Sequence, residues 1–187
     1  MMKREETMRS LLIGGQVALV IVLASSVVWQ LGCSSDPSAS TATESQYLLR
    51  EEPGDAADVL DVRNDAENED DVVVVGRIGG STNPWTQGLA ALSIVDRSLT
   101  PCSEMEGDTC PTPWDYCCEA DLPKATVLVK FVDDSGKVVK HDARELLRLK
   151  ELQTVVITGK ALRDDAGNVS IAATGVHVRD GGKDPTK

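Results

Sequence analysis

TVVITGKALRDDAGNVSIAATGVHVR, running from Thr154 to Arg179, is two β-branched runs joined by a cluster of turn residues. In the second run Val169, Ile171, Ala173 and Gly175 alternate with Ser170, Ala172, Thr174 and Val176, the period-2 pattern of a strand. Asp164-Asp165-Ala166-Gly167-Asn168 supplies the chemistry that reverses a chain between strands. Gly159 interrupts the first run and marks a bend. Long strands with an internal glycine suit a small barrel that must curve sharply.

Working upstream, the period changes to that of a helix. Asp142 is placed to cap Ala143–Lys150, whose Leu146, Leu147 and Leu149 form an apolar face with Arg144, Glu145, Arg148 and Lys150 outside. Before it come Ala125–Val132 (ATVLVKFV), the turn Asp134-Ser135-Gly136 and the short run Lys137–Lys140. Ala90–Asp96 (AALSIVD) and Val72–Gly76 (VVVVG), continued through Arg77-Ile78 and ended by Gly79-Gly80, are the remaining strands. Five strands with one helix between the third and fourth predict a mainly β fold, a five-stranded OB-like barrel, over residues 71–180. An open β-sandwich of the same strands is the alternative. VVVVGRIGG together with ITGKALRDDAGNVSIAATGVHV also resembles the OB module of tRNA-anticodon-binding domains.

Composition agrees with sheet. Only six of the 187 residues are aromatic and Phe131 is the sole phenylalanine, so Val, Ile, Leu and Ala must build the core. The net charge of −11 is uneven. Ser34–Asp70 carries eleven acids against Arg50 and Arg63, whereas Asp71–Asp180 carries sixteen acids against twelve bases. A domain of net charge −4 with scattered bases lacks the footprint that neutralises phosphates, so no nucleic-acid partner is expected. The second and third strands offer only Phe131 and Lys130 for stacking and charge, which also argues against an oligonucleotide groove.

The N-terminus is an address. Lys3, Arg4 and Arg9 precede Leu11–Trp29 (LLIGGQVALVIVLASSVVW), and no charged residue occurs from Ser10 to Ser35. Leu11–Gly32 as a helix would match the ~30 Å hydrocarbon core of a bilayer. Positive residues before the run and acids after it place the bulk of the chain outside the cytoplasm. Residues 1–32 are thus expected to be a signal peptide or membrane anchor. Gln30-Leu31-Gly32-Cys33 resembles the lipobox of bacterial lipoproteins, which implies lipidation at Cys33; Gln30 and Leu31 depart from the usual residues. Lipoprotein, uncleaved anchor and cleaved secreted form are the three readings, all outside the cytoplasm, and a membrane-tethered place in the cell envelope is the expectation. Residues 33–70, acidic and rich in Ser, Thr and Ala, are expected to be a disordered spacer in which Gln46–Glu52 or Ala56–Val62 form at most transient turns of helix, and 181–187 a tail.

Between the second and third strands lies an insertion, residues 97–122, holding PCSEMEGDTCPTPWDYCCE (Pro101–Glu119). Cys102, Cys110, Cys117 and Cys118 are spaced C-x7-C-x6-C-C, and Gly107, Pro111 and Pro113 forbid a long regular element. GDTCPTPWDYCCE, the later DDSGKVV and LKELQTVVITGKA resemble a family of uncharacterised exported proteins of planctomycete-type bacteria over about residues 72–179. The resemblance implies export and a shared fold and brings no catalytic residue.

Three chemistries fit the cysteines. Outside the cytoplasm two disulfides would staple the loop, each contributing ~2–4 kcal/mol, with the neighbours Cys117 and Cys118 pairing outward to Cys102 and Cys110. Four thiolates would instead hold zinc or copper, with Asp108, Asp115 and Glu119 as ligands or outer partners, although the usual C-x2-C knuckle is absent. Thiol redox catalysis would want a nearby base, and the segment supplies only acids. The compartment favours the staple. Trp114 and Tyr116 share the loop, and Trp85 is expected to pack against Trp114 over the barrel mouth as a loop anchor or binding surface. His141 and His177 read as surface polar residues, and no nucleophile motif, phosphate loop or carboxylate pair appears. The expectation is a non-enzymatic, membrane-tethered binding or structural domain with a protein or small-molecule partner, and no cofactor unless the cysteines take zinc or copper.

Overall fold

The β-branched runs form strands, and the strands close on themselves. The computed structural model describes residues 46–179. The apolar leader, Cys33, the start of the spacer and the tail lie outside the described residues. In chain order the elements are β1 (Ala57–Asp58), α1 (Val59–Asp65), β2 (Asp71–Ile78), β3 (Ala91–Val95), a 3-10 turn (Cys102–Glu104), β4 (Thr126–Phe131), α2 (Ala143–Leu147), β5 (Thr154–Arg163) and β6 (Val169–Val178). β2 pairs with β3, β3 with β4, β4 with β6, β6 with β5, and β5 returns to β2, closing a five-stranded OB-like barrel. Only β4–β6 is parallel within that ring.

Gly159 does what its position in β5 predicts. The β5–β6 register shifts between Thr158 and Gly159, so that Thr158 faces Gly175 while Gly159 faces Ala173 and Thr174 is the extra residue. A Cβ on Gly159 would stand 2.2 Å from the Ala172 carbonyl oxygen, so only glycine permits this approach. The bulge also switches the inward phase of β6. Val169, Ile171 and Ala173 are buried before it, and Val176 after it.

Asp142 caps α2 by accepting the Arg144 N–H at 2.9 Å. The helix stops at Leu147, earlier than expected, because Arg148 takes a left-handed conformation with φ 52°. Leu149 is buried beyond the helix end, with Leu146 and Leu147 within it.

The expected disordered spacer is corrected from residue 46 onward. Tyr47 is buried, meets Phe131 edge-on with 5.5 Å between ring centroids, and donates its hydroxyl to the Val132 carbonyl at 2.8 Å. β1 runs parallel to β2 through Ala57↔Val74 and Asp58↔Val75. It covers an edge of β2 that β3 leaves free, since β3 reaches only Arg77 and Ile78. α1 then buries Val59 and Val62 in the main core. Two of the acids that suggested disorder are paired: Asp58 forms a bidentate pair with Arg97 at 2.7 and 3.0 Å, and Glu52 with Arg179 at 2.7 Å. A segment-wide charge average hid a short helix that buries Val59 and Val62 and follows a paired Asp58.

A candidate thiolate site on the insertion

The insertion leaves β3, is fastened at its root to α1, and is tied across its own two ends. Asp96, the one buried charged side chain among the described residues, accepts Ser98 N–H and hydroxyl at 2.9 and 2.6 Å with one oxygen. Its other oxygen accepts the Leu60 N–H in the first turn of α1 at 2.8 Å. One carboxylate therefore ties the root of the loop to the segment expected to be a spacer. At the far end Glu119 accepts the Thr100 N–H at 2.8 Å.

Tyr116 is the anchor. Its ring is buried with Val95, Leu99 and Ala125 in a second apolar cluster, against which Leu60 and Leu122 pack. Gly79, at the end of β2, makes room for it: a Cβ there would lie 2.6 Å from the Trp114 carbonyl oxygen and 2.9 Å from the Tyr116 ring. The same carbonyl accepts the Gly80 N–H at 3.3 Å, and Arg77 pairs with Glu104 at 2.6 Å. The Tyr116 hydroxyl is buried without a hydrogen-bond partner, and burial pushes its pKa up to about 12.

Within the insertion the two limbs meet through backbone bonds from Cys102 N–H to the Asp115 carbonyl and from Ser103 N–H to the Pro113 carbonyl, 2.9 and 3.1 Å. This pairing carries Cys102, on the 3-10 turn, against Cys117. Their sulfurs stand 3.5 Å apart, and the sulfurs of Cys102, Cys110 and Cys117 all lie within 4.8 Å of one another. Exposure rises across the trio, from buried Cys102 through half-buried Cys110 to exposed Cys117.

Burial, then the shared bond with Cys117, raises the Cys102 thiol to about 11. Cys110 is lowered by hydrogen bonds with the Thr112 hydroxyl and backbone; its sulfur lies 3.4 Å from that hydroxyl oxygen. The bond with Cys102 lowers Cys117, but the neighbouring Cys118 and Cys110 thiols and partial burial outweigh it and leave it raised.

This geometry departs from two expectations. No disulfide joins the four thiols of the insertion. The four-thiolate set is also incomplete, because Cys118 does not join the trio. Consecutive residues direct their side chains differently, and Cys118 is exposed. Asp108, Asp115 and Glu119 are not ligands in this arrangement. Asp108 accepts the Cys110 N–H at 3.0 Å, Asp115 accepts the Tyr116 N–H at 2.8 Å, and Glu119 holds Thr100, so all three brace the backbone around the thiols.

Trp85 and Trp114 go to different partners, and no ring contact joins them among the described residues. Trp85 sits in the main core, donates to Glu151 at 2.9 Å and lies beneath the Arg144 guanidinium, 5.5 Å from the ring centroid. Trp114 donates to the Thr82 carbonyl at 3.2 Å and so clips the insertion to the β2–β3 loop. Both histidines are set against backbone carbonyls outside the insertion, His141 against Asp142 and His177 against Leu49. Sequence reasoning missed Thr112, two residues after Cys110, and Gly79, whose importance depends on what packs against it.

No family model matches the chain, and no curated protein does.

Proposed function

We propose that the chain is an exported, membrane-tethered domain whose OB-like barrel presents a thiolate site for a soft divalent cation of zinc's class. The observation that carries the reading is the convergence of the Cys102, Cys110 and Cys117 sulfurs within 4.8 Å of one another. That spacing suits three sulfurs around one ion with bonds of about 2.3 Å. The hydrogen bond between the Thr112 hydroxyl and the Cys110 sulfur is the outer support that orients a ligand. Charge favours a dication over copper(I): residues 101–119 hold five acids and no base, and a dication offsets more of the charge of three thiolates. Binding would turn the thiols into thiolates and release protons. The uncharged leader and its flanking charges support the envelope address, with Cys33 as the lipid attachment point.

Cobalt(II) titration of the reduced full chain in detergent tests the site. One equivalent should bind with a sulfur-to-metal charge-transfer band. Cys102→Ser, Cys110→Ser and Cys117→Ser should each weaken binding by about tenfold or more. Absence of the band, or two intact disulfides in protein taken from its own envelope, would overturn the reading. Fractionation with N-terminal mass analysis tests the address. A membrane-fraction chain beginning at acylated Cys33 supports it, and a cytosolic chain retaining residues 1–32 overturns it.

A further inference from the structure

Resting on that site, we propose that Cys102 and Cys117 close a reversible disulfide, and that this bond and the cation exclude one another.

Geometry selects the pair. The Cys102 and Cys117 sulfurs stand 3.5 Å apart. Backbone bonds from Cys102 N–H to the Asp115 carbonyl and from Ser103 N–H to the Pro113 carbonyl hold the two limbs that carry them side by side. A disulfide needs its sulfurs about 2 Å apart, so closure asks for an approach of about 1.5 Å. Cys117 is exposed and free to make that approach, while Cys102 stays buried on the 3-10 turn. Tyr116, one residue earlier, already anchors the Cys117 limb in its apolar cluster, so the bond joins segments that are in place. Cys110 is turned to another partner: its sulfur lies 3.4 Å from the Thr112 hydroxyl and 3.5 Å from the Thr112 carbonyl oxygen.

The bond and the ion compete for the same sulfurs. A cation of zinc's class takes cysteine as thiolate, and a disulfide sulfur carries no such charge. With Cys102 and Cys117 joined, Cys110 is the one thiol left of the convergent three, too few to hold a dication. An ion bound to all three in turn keeps Cys117 from attacking an oxidant.

The oxidant is a disulfide, R–S–S–R, the class of reagent found outside the cytoplasm. The exposed Cys117 thiolate attacks one of its sulfurs, forming a mixed disulfide and releasing R–S⁻. The Cys102 thiolate then attacks the Cys117 sulfur, the Cys102–Cys117 bond forms, and the second R–S⁻ leaves. The two cysteines lose two electrons and the oxidant gains them, and the two protons given up by the thiols balance the two leaving thiolates. A dithiol reverses the sequence and reopens the site.

Glutathione disulfide added to the reduced, metal-free full chain in detergent, followed by alkylation and fragment mass mapping, tests this. A Cys102–Cys117 link should form in the unaltered chain and in Cys110→Ser and Cys118→Ser. A link through Cys110 or Cys118 instead, or no link at all, overturns the proposal. The bridged chain should lose the cobalt charge-transfer band, and dithiothreitol should restore it. With free zinc at about 100 times its Kd, bridging should slow about a hundredfold, because only the ion-free fraction reacts. A bridging rate indifferent to zinc, or a cobalt band that survives bridging, overturns the exclusion while leaving the metal site standing. Absence of the band in the reduced chain fails the site itself and the exclusion with it, an outcome visible before any oxidant is added.

Discussion

Tyr116 carries the most legible stability consequences of any residue in the insertion. Its hydroxyl is buried and unpartnered, while its ring fills the cluster beneath the loop. A buried donor without a partner forfeits ~1–3 kcal/mol. Tyr116→Phe should therefore leave stability unchanged or raise it by about 1 kcal/mol, whereas Tyr116→Ala should cost about 3–5 kcal/mol. Urea unfolding of both variants checks this, and a destabilised phenylalanine variant would reveal a hydrogen bond that the hydroxyl makes. Cys102 gives a prediction in pH. Its folded pKa of about 11 lies above the ordinary 9.0, so the folded metal-free chain retains a proton that the unfolded chain gives up. The stability this supplies is complete below pH 9 and is lost as pH rises towards 11. Thermal midpoints of the metal-free chain should fall across that window, and Cys102→Ala should flatten the fall. Both behaviours belong to residues whose type was readable in the sequence and whose burial was not.

At the scale of elements, the N-terminal strand and helix are the addition that sequence patterning missed. β1 and α1 cover the open edge of β2, and Leu60 contributes to the cluster that holds Tyr116. Asp96 joins α1 to the insertion through hydrogen bonds to Leu60 and Ser98. Asp96→Ala leaves these donors without their acceptor and should destabilise the domain by about 2–3 kcal/mol. Backbone hydrogen exchange should quicken at both Leu60 and Ser98, and a change confined to one would show that the two elements are not coupled. Gly159→Val, placed against the Ala172 carbonyl, should cost at least as much, because backbone rather than a flexible side chain must yield. Differential scanning calorimetry should show a lowered midpoint. Gly159 was readable as a bend because a glycine inside a β-branched run has few other uses. α1 was readable only as a transient turn over Ala56–Val62, because what makes it stable is the burial of Val59 and Val62 against the barrel, which local composition does not record.

At the scale of the whole molecule, the folded unit takes in residues upstream of 71, with Tyr47, β1 and α1 all packed on the barrel. A chain of residues 46–179 should unfold cooperatively with dispersed amide resonances, whereas one of residues 71–179 loses Tyr47, β1 and α1 and should be markedly less stable. Identical unfolding midpoints for the two would show that the N-terminal segment is dispensable. The five barrel strands, the capped start of α2 at Asp142 and the place of the insertion were legible in the sequence, because period-2 alternation, capping and turn chemistry are local properties. The sequence also supplied the cysteines as candidates, since few other residues there have comparable chemistry. Tertiary structure alone decided that three of those sulfurs converge while Cys118 stays outside, that Asp108, Asp115 and Glu119 brace backbone, and that the tryptophans separate. Convergence depends on how Gly79 admits Trp114 and Tyr116 and on how the limbs pair across an irregular loop. Those distances are set by packing between residues far apart in the chain, which no local spacing records.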